Sequence, residues 1–154
     1  MNADTDDGLG RVLTRDDIVL GCRAESRDEA IEFSGGLLVA RGSVSPEYVD
    51  GMKQREEVVS TYLGNGVALP HGVLESKGYI RSTGIVVAQY PDGVDWGPGT
   101  ARLVVGLAAA GDDHVRVLSR LAEVLQDEEL CERLAQSDDV SFVHDRLTAP
   151  PSDD

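Results

Sequence analysis

Two apolar runs stand out along the chain, Gly84-Ile85-Val86-Val87-Ala88-Gln89 and Ala101-Arg102-Leu103-Val104-Val105-Gly106-Leu107. Both are short and rich in β-branched residues, a pattern that predicts strands. Asp92-Gly93 and Gly97-Pro98-Gly99 punctuate the interval between them and predict turns. Upstream, Val67-Ala68-Leu69 is a shorter apolar run that predicts a buried strand.

Helical spacing governs the remaining segments. Ser26-Arg27-Asp28-Glu29 has capping-box spacing and is followed by Ala30, Ile31, Phe33, Leu37 and Leu38. A helix is predicted from about Arg27 to Ala40, weakened by Gly35 and Gly36 and closed by Gly42. Ser45-Pro46 opens a second helix running through Tyr48, Val49 and Met52 to about Glu56, with proline where its missing N–H does no harm. A third should begin near Asp112 or Asp113 and reach Leu125, its apolar positions Val117, Leu118, Leu121, Val124 and Leu125 recurring at three and four residues. Two short helices, at about 127–136 and 139–147, complete the chain. Helices around a few strands predict an α/β fold in a single domain. Because strands and helices do not alternate strictly, the small sheet is expected to be mixed, flanked by helices. Residues 1–10 and 148–154 are acidic and poor in core-forming side chains, and read as disordered ends of a folded domain at 11–147.

Composition narrows the functional classes. The 154 residues suffice for one domain with a real core. The longest apolar stretch, Ala101 to Ala110, is about half the length a membrane-spanning helix needs, and the acidic N-terminus resembles no targeting peptide. Cytoplasmic residence without membrane insertion is the expectation. A net charge of −14 repels nucleic acid and anionic membranes, and can steer a basic protein partner. Cys22 and Cys131 lack the spacing of a zinc site or a disulfide framework and are expected to act as small, partly buried apolar residues. Three scattered histidines, and the absence of a glycine-rich run ending in Gly-Lys-Ser/Thr, leave no metal or nucleotide cofactor expected.

The chemistry concentrates in the segment from Arg55 to Gly72. It reads as a helix end, a glycine-bearing loop, a short apolar strand and then His71 between Pro70 and Gly72. Pro70 fixes its own φ, and Gly72 permits backbone geometry that other residues resist, so the ring is held by stiff neighbours at a strand terminus. Near neutral pH much of an imidazole is unprotonated. One ring nitrogen can then attack phosphorus while a hydrogen bond fixes the other. A histidine between proline and glycine is by itself more commonly a turn residue; the longer pattern around this one changes that balance.

The residues Glu56, Leu63, Gly64, Val67, Ala68, Leu69, Pro70, His71 and Gly72 fall in the order and spacing of a known signature. It runs from an acidic or amide residue, across a six-residue gap, to an aliphatic residue and a small residue, and then to an aliphatic-Ala-aliphatic-Pro-His-Gly ending. On these residues the chain resembles the mannitol/fructose family of enzyme IIA components of the bacterial phosphoenolpyruvate-dependent sugar phosphotransferase system. The resemblance extends from about Ile18 to Leu147, and Thr61-Tyr62-Leu63-Gly64-Asn65-Gly66 with Gln89-Tyr90-Pro91-Asp92-Gly93-Val94-Asp95-Trp96-Gly97 is similar to the mannitol branch.

The resemblance implies that His71 is phosphorylated by the histidine-containing phosphocarrier protein and passes the group to a cysteine of an enzyme IIB component serving a IIC permease. Neither Cys22 nor Cys131 sits in a glycine-rich loop, so IIB and permease are expected on another chain. The family places an arginine near the active histidine at the position of Arg55, where a guanidinium can bind phosphate oxygens; the plain alternative is a cation at a helix C-terminus. The mannitol branch has a second histidine at the position of His114, implying a supporting role. Glu75 is left outside the site and His144 is read as structural. A regulatory protein of the nitrogen-related branch is the alternative, and the mannitol-like segments count against it.

Overall fold

The computed structural model describes residues 12–149; the expected disordered segment 1–10 and the chain beyond Ala149 lie outside them. Five α-helices, two short 3₁₀ segments (Arg15–Asp17 and Leu74–Tyr79) and a five-stranded mixed sheet are the regular elements of the described residues. The strands are β1 (Ile18–Val19), β2 (Tyr62–Gly64), β3 (Val67–Ala68), β4 (Gly84–Asp95) and β5 (Thr100–Ala108), in the order β1-β4-β5-β3-β2. The antiparallel β4–β5 hairpin forms the middle, pairing Ile85 with Leu107 and Val87 with Val105. β1 joins β4 and β3 joins β5 in parallel, and β2 closes the far edge antiparallel to β3.

Because successive residues of a strand point to opposite faces, β4 and β5 feed two cores. Ile85, Val87, Leu103, Val105 and Leu107 pack with Val117, Leu121 and Leu125 of α3 (Asp112–Leu125), and with α4 (Glu128–Gln136) and α5 (Val140–Thr148). Val86, Ala88, Tyr90 and Val104 pack with Ile31 and Leu38 of α1 (Arg27–Ala40) and with Tyr48 and Met52 of α2 (Glu47–Val58). The sheet is thus covered on both faces, which explains why its central strands read as continuous apolar runs.

The helix expectations hold at their boundaries within about two residues. Ser26 caps α1 by accepting from the Glu29 amide, but the Glu29 carboxylate reaches the Glu25 amide instead of closing the reciprocal bond on Ser26. Gly42, at φ +85°, ends the helix as expected. Gly35 has a positive purpose: a Cβ there would stand 2.7 Å from Val49 Cγ2 and 3.3 Å from Met52 Sδ, so its bare backbone lets α1 and α2 pack closely. Gly36 has open space around it. Cys22 is half-buried as expected, whereas Cys131 is fully buried, its thiol donating to the Leu125 carbonyl.

The strand expectations need correcting in three places. Asp92-Gly93 is not a turn between strands but lies inside β4, where the register shifts between Gln89 and Val94 and Gly93 takes φ +86°. The chain reverses later, at Gly97-Pro98, with the Trp96 amide donating to the Gly99 carbonyl. Burial explains the extension, since prolonging the hairpin carries Val94 and Trp96 into the core. The glycine-bearing loop before Val67 is a hairpin turn joining two strands, with Asn65 and Gly66 at φ +55° and +79°, the signs a type I′ turn requires. Lastly, β1 is a two-residue edge strand with no expectation behind it.

The two adjacent glycines of α1 should respond oppositely to the same change. Gly35→Ala should lower stability by about 1–3 kcal/mol through overpacking against Val49, whereas Gly36→Ala should raise it by about 0.5–1 kcal/mol. Urea unfolding of the two variants beside the wild type reads both signs.

Candidate active site

His71 lies just beyond β3, where the chain continues alongside β5. The Leu107 amide donates to the Pro70 carbonyl at 3.0 Å, placing His71 opposite Leu107 in a parallel bridge. Beyond it, the Gly72 amide donates to the Tyr48 hydroxyl at 2.9 Å, and that hydroxyl donates to the Leu107 carbonyl at 2.9 Å. Gly72 is needed for space, not for unusual backbone geometry: its φ is not positive, but a Cβ would stand 2.4 Å from Ser76 Oγ and 2.7 Å from Tyr48 Cε1.

The ring itself is partly buried, and its Nδ1 lies 2.8 Å from the Leu69 carbonyl. A carbonyl only accepts, so Nδ1 carries the proton and Nε2 keeps the free lone pair. Burial lowers the His71 pKa below the usual histidine value, and Arg55 and His114 act in the same direction; the Leu69 bond and Glu56 oppose them. Near neutrality the ring is therefore neutral and nucleophilic at Nε2.

The structure brings the three sequence-derived residues together. His71, His114 and Arg55 line one cavity of about 350 Å³, and the two imidazoles lie 5.2 Å apart in an edge-on arrangement. His114 stands in the first turn of α3, its amide donating to the Gly111 carbonyl, and Ala109 to Gly111 form the adjoining wall. The positive end of the α3 dipole thus adjoins the cavity. Arg55 combines both of its readings, since one guanidinium nitrogen bonds the Val59 carbonyl at the end of α2, 2.6 Å away, while the side chain lines the cavity. Lys77 contributes a second cation to the wall. With Arg55 and Lys77 as its only charged lining among the described residues, this cavity suits an anion although the chain is acidic overall.

Glu75 and His144 lie apart from this cavity. Glu75 is exposed and lines a neighbouring depression with Glu47 and Asp50, while His144 Nδ1 is 3.0 Å from Asp145 Oδ1 on α5. Three contributions were not read from the sequence: Lys77, the Tyr48 hydroxyl and the support given by Glu56. Glu56 is 3% exposed and accepts from the Thr61 amide (2.8 Å), the Thr61 hydroxyl (2.6 Å) and Trp96 Nε1 (3.0 Å). Its carboxylate joins the end of α2, which bears Arg55, to the start of β2 and the tip of the central hairpin. No local pattern marks Lys77. The signature position of Glu56 marked that residue, though not its task.

The sequence matches the family described as phosphoenolpyruvate-dependent sugar phosphotransferase system, EIIA 2, over residues 11–149. The chain belongs to this family. Among its relatives, the mannitol-specific EIICBA component of Escherichia coli is 44% identical over 138 residues, covering 88% of this chain and 22% of that protein. The chain thus spans about a fifth of the length of such relatives. The mannitol-specific phosphotransferase enzyme IIA component of Staphylococcus aureus is 39% identical, covering 84% of this chain and 90% of that protein. The crystal structure of IIA mannitol from Escherichia coli superposes with a TM-score of 0.83 at 43% identity, covering 88% of this chain and 99% of the other. The nitrogen regulatory protein IIA-Ntr of Neisseria meningitidis gives 0.78 at 28% identity, over 91% of this chain and 99% of that one. In this EIIA 2 chain, the mixed sheet flanked by helices is accordingly the IIA mannitol fold.

Two measurements probe the site of this IIA domain. The His71 titration midpoint, followed by NMR, should lie below about 6.5 and rise in Arg55→Gln, because the guanidinium disfavours the imidazolium. The unfolded chain then binds the proton more readily, so stability is greatest above the ordinary histidine pKa and falls as pH drops towards the folded one. Glu56→Ala leaves the Thr61 amide, the Thr61 hydroxyl and the Trp96 indole without their acceptor, and should cost at least about 3 kcal/mol in urea unfolding.

Proposed function

We propose that this chain is a cytoplasmic phosphoryl carrier of the sugar phosphotransferase system, with His71 as the residue phosphorylated. The observation that carries the reading is the Nδ1–Leu69 bond, which leaves Nε2 as a fixed nucleophile in a cavity lined by Arg55, Lys77 and His114. The donor is the phosphohistidine of the histidine-containing phosphocarrier protein. Nε2 of His71 attacks phosphorus in line as the donor's N–P bond breaks, and the donor imidazole leaves with the electron pair. The phosphoryl group then passes to a cysteine thiolate of an enzyme IIB component, and His71 returns to its neutral state.

Each step depends on positioning and on charge placed in advance, as phosphoryl transfer generally does. Arg55 stabilises the phosphoryl oxygens, and His114, beside the His71 ring, supports them. A complex between the mannitol enzyme IIA of Escherichia coli and phosphorylated IIB, whose IIA chain is 43% identical to this one with a TM-score of 0.84, supports the onward transfer to IIB. The mannitol-specific relatives support mannitol as the sugar finally phosphorylated. The identity to IIA mannitol, 43% against 28% for the nitrogen regulatory structure, supports the transport branch over the regulatory one.

The surroundings of the cavity suit brief docking. Val59 and Val115, which adjoin Arg55 and His114 through a hydrogen bond and the chain respectively, are 61% and 65% exposed, as is Val58 at 74%. Such an apolar rim gives a partner contact area without a deep, slow-releasing pocket. Among the described residues no helix is long and apolar enough to cross a membrane, and a cytoplasmic partner pair fits that.

The deciding experiment is phosphotransfer from phosphoenolpyruvate through enzyme I and the phosphocarrier protein, read by intact mass. Wild type should gain one acid-labile phosphate, His71→Ala none, and Arg55→Gln should gain it about 10- to 100-fold more slowly. A gain that persists in His71→Ala moves the site to another residue, and no gain in wild type removes the carrier reading.

A further inference from the structure

The way His71 is held points to a residue outside the signature. A parallel bridge normally closes with two backbone bonds, one on each side of the bridging residue. Here the first is present, from the Leu107 amide to the Pro70 carbonyl, while the second is relayed through a side chain. The Gly72 amide donates to Tyr48 Oη, and Oη donates to the Leu107 carbonyl, both at 2.9 Å. A hydroxyl is thus inserted between the two backbones immediately after His71.

We propose that Tyr48 is a positioning residue for phosphoryl transfer: its hydroxyl, wedged between Gly72 and Leu107, sets the spacing of the His71 backbone from β5 and so the pose of the ring. This rests on the reading of His71 as the carrier. The geometry allows little slack. Tyr48 is 2% exposed although it borders the cavity beside His71, and its ring packs so closely on Gly72 that no Cβ fits there. Burial raises the phenol's pKa, so the hydroxyl keeps the proton it donates in the hydrogen bond to the Leu107 carbonyl. With that hydroxyl in place, the backbone on both sides of His71 is tied to the same residue of β5. The ring's one internal bond, to Leu69, then fixes a ring whose base cannot shift. Removing the hydroxyl leaves the Gly72 amide and the Leu107 carbonyl either unpaired or drawn together, and either result displaces the histidine between them.

The test is Tyr48→Phe, which keeps the ring and removes one oxygen, with His71 followed by its ring ¹⁵N resonances and by single-turnover phosphorylation from the phosphocarrier protein. The wild type should show a protonated Nδ1 and a bare Nε2. In the variant the two nitrogen shifts should converge as the tautomers mix, and the transfer rate at saturating donor should fall roughly tenfold or more. The half-saturating donor concentration should stay unchanged, because a buried hydroxyl touches no partner. Unaltered nitrogen shifts and rate, whatever happens to thermal stability, would overturn the proposal and leave Tyr48 as packing. A wild type that takes up no phosphate removes the carrier reading and with it the catalytic consequence, whereas normal uptake with unaltered shifts in Tyr48→Phe removes the positioning role alone. Should Tyr48→Phe fail to fold, 3-fluorotyrosine placed at position 48 keeps the shape and alters only the hydroxyl's donor and acceptor strengths. The His71 nitrogen shifts should then move together with the Gly72 amide signal, and His71 shifts that stay fixed would overturn the proposal.

Discussion

The hydrogen bond between His71 Nδ1 and the Leu69 carbonyl is the contact on which the rest of the site depends. It spans two residues, so it holds only if the backbone from Leu69 to Gly72 keeps one shape. Pro70 within that segment restricts the chain, and its carbonyl takes the Leu107 amide. β3 places Leu69 at the sheet by pairing Ala68 with Val104, and the Leu69 amide itself donates to the Thr61 carbonyl. The central hairpin thus serves as a rigid rail against which a short, otherwise loop-like segment is aligned. A catalytic side chain carried at the end of a strand gains precision from the sheet while its tip stays open to partners.

Electrostatics works on the site in two opposed ways. Burial and the neighbouring Arg55 and His114 keep the His71 ring neutral, which is the form that can attack phosphorus. In the proposed carrier role, the Arg55 guanidinium then favours the ring once it carries an anionic phosphoryl group. One arrangement therefore disfavours protonation and favours phosphorylation, because the two modifications differ in the sign of the charge they add. The overall charge of −14 lies outside this pocket and acts at longer range, where it attracts a basic partner surface and is screened by salt.

Much of this was legible in the sequence because its determinants are local. Caps, glycines and apolar spacing placed all five helices within about two residues, and the signature placed His71 at a strand end. The elements that escaped are those stabilised by partners distant in sequence. Tyr62–Gly64 is too short to show a strand period, although Asn65-Gly66 beside it is a favoured hairpin pair. Asp92-Gly93 has turn chemistry, yet the core's claim on Trp96, with its indole bonded to Glu56 forty residues away in sequence, draws the strand onward through a bulge. Tyr48 looked like an ordinary apolar position on a helix face; only the fold shows that its hydroxyl ends between Gly72 and Leu107.

Arg55 illustrates how a carrier differs from a binding protein. A guanidinium free to form a full fork on phosphate would hold the phosphoryl group tightly, which suits storage and opposes onward transfer. Here one of its nitrogens is committed to the Val59 carbonyl at the end of α2. That anchor fixes where the charge sits, removes side-chain freedom that would otherwise be lost on each turnover, and leaves a smaller set of donors for the anion. Lys77, on a 3₁₀ segment (Leu74–Tyr79), adds charge without a planar fork. In the proposed carrier role, such a restrained set of donors favours passage of the phosphoryl group over holding it tightly.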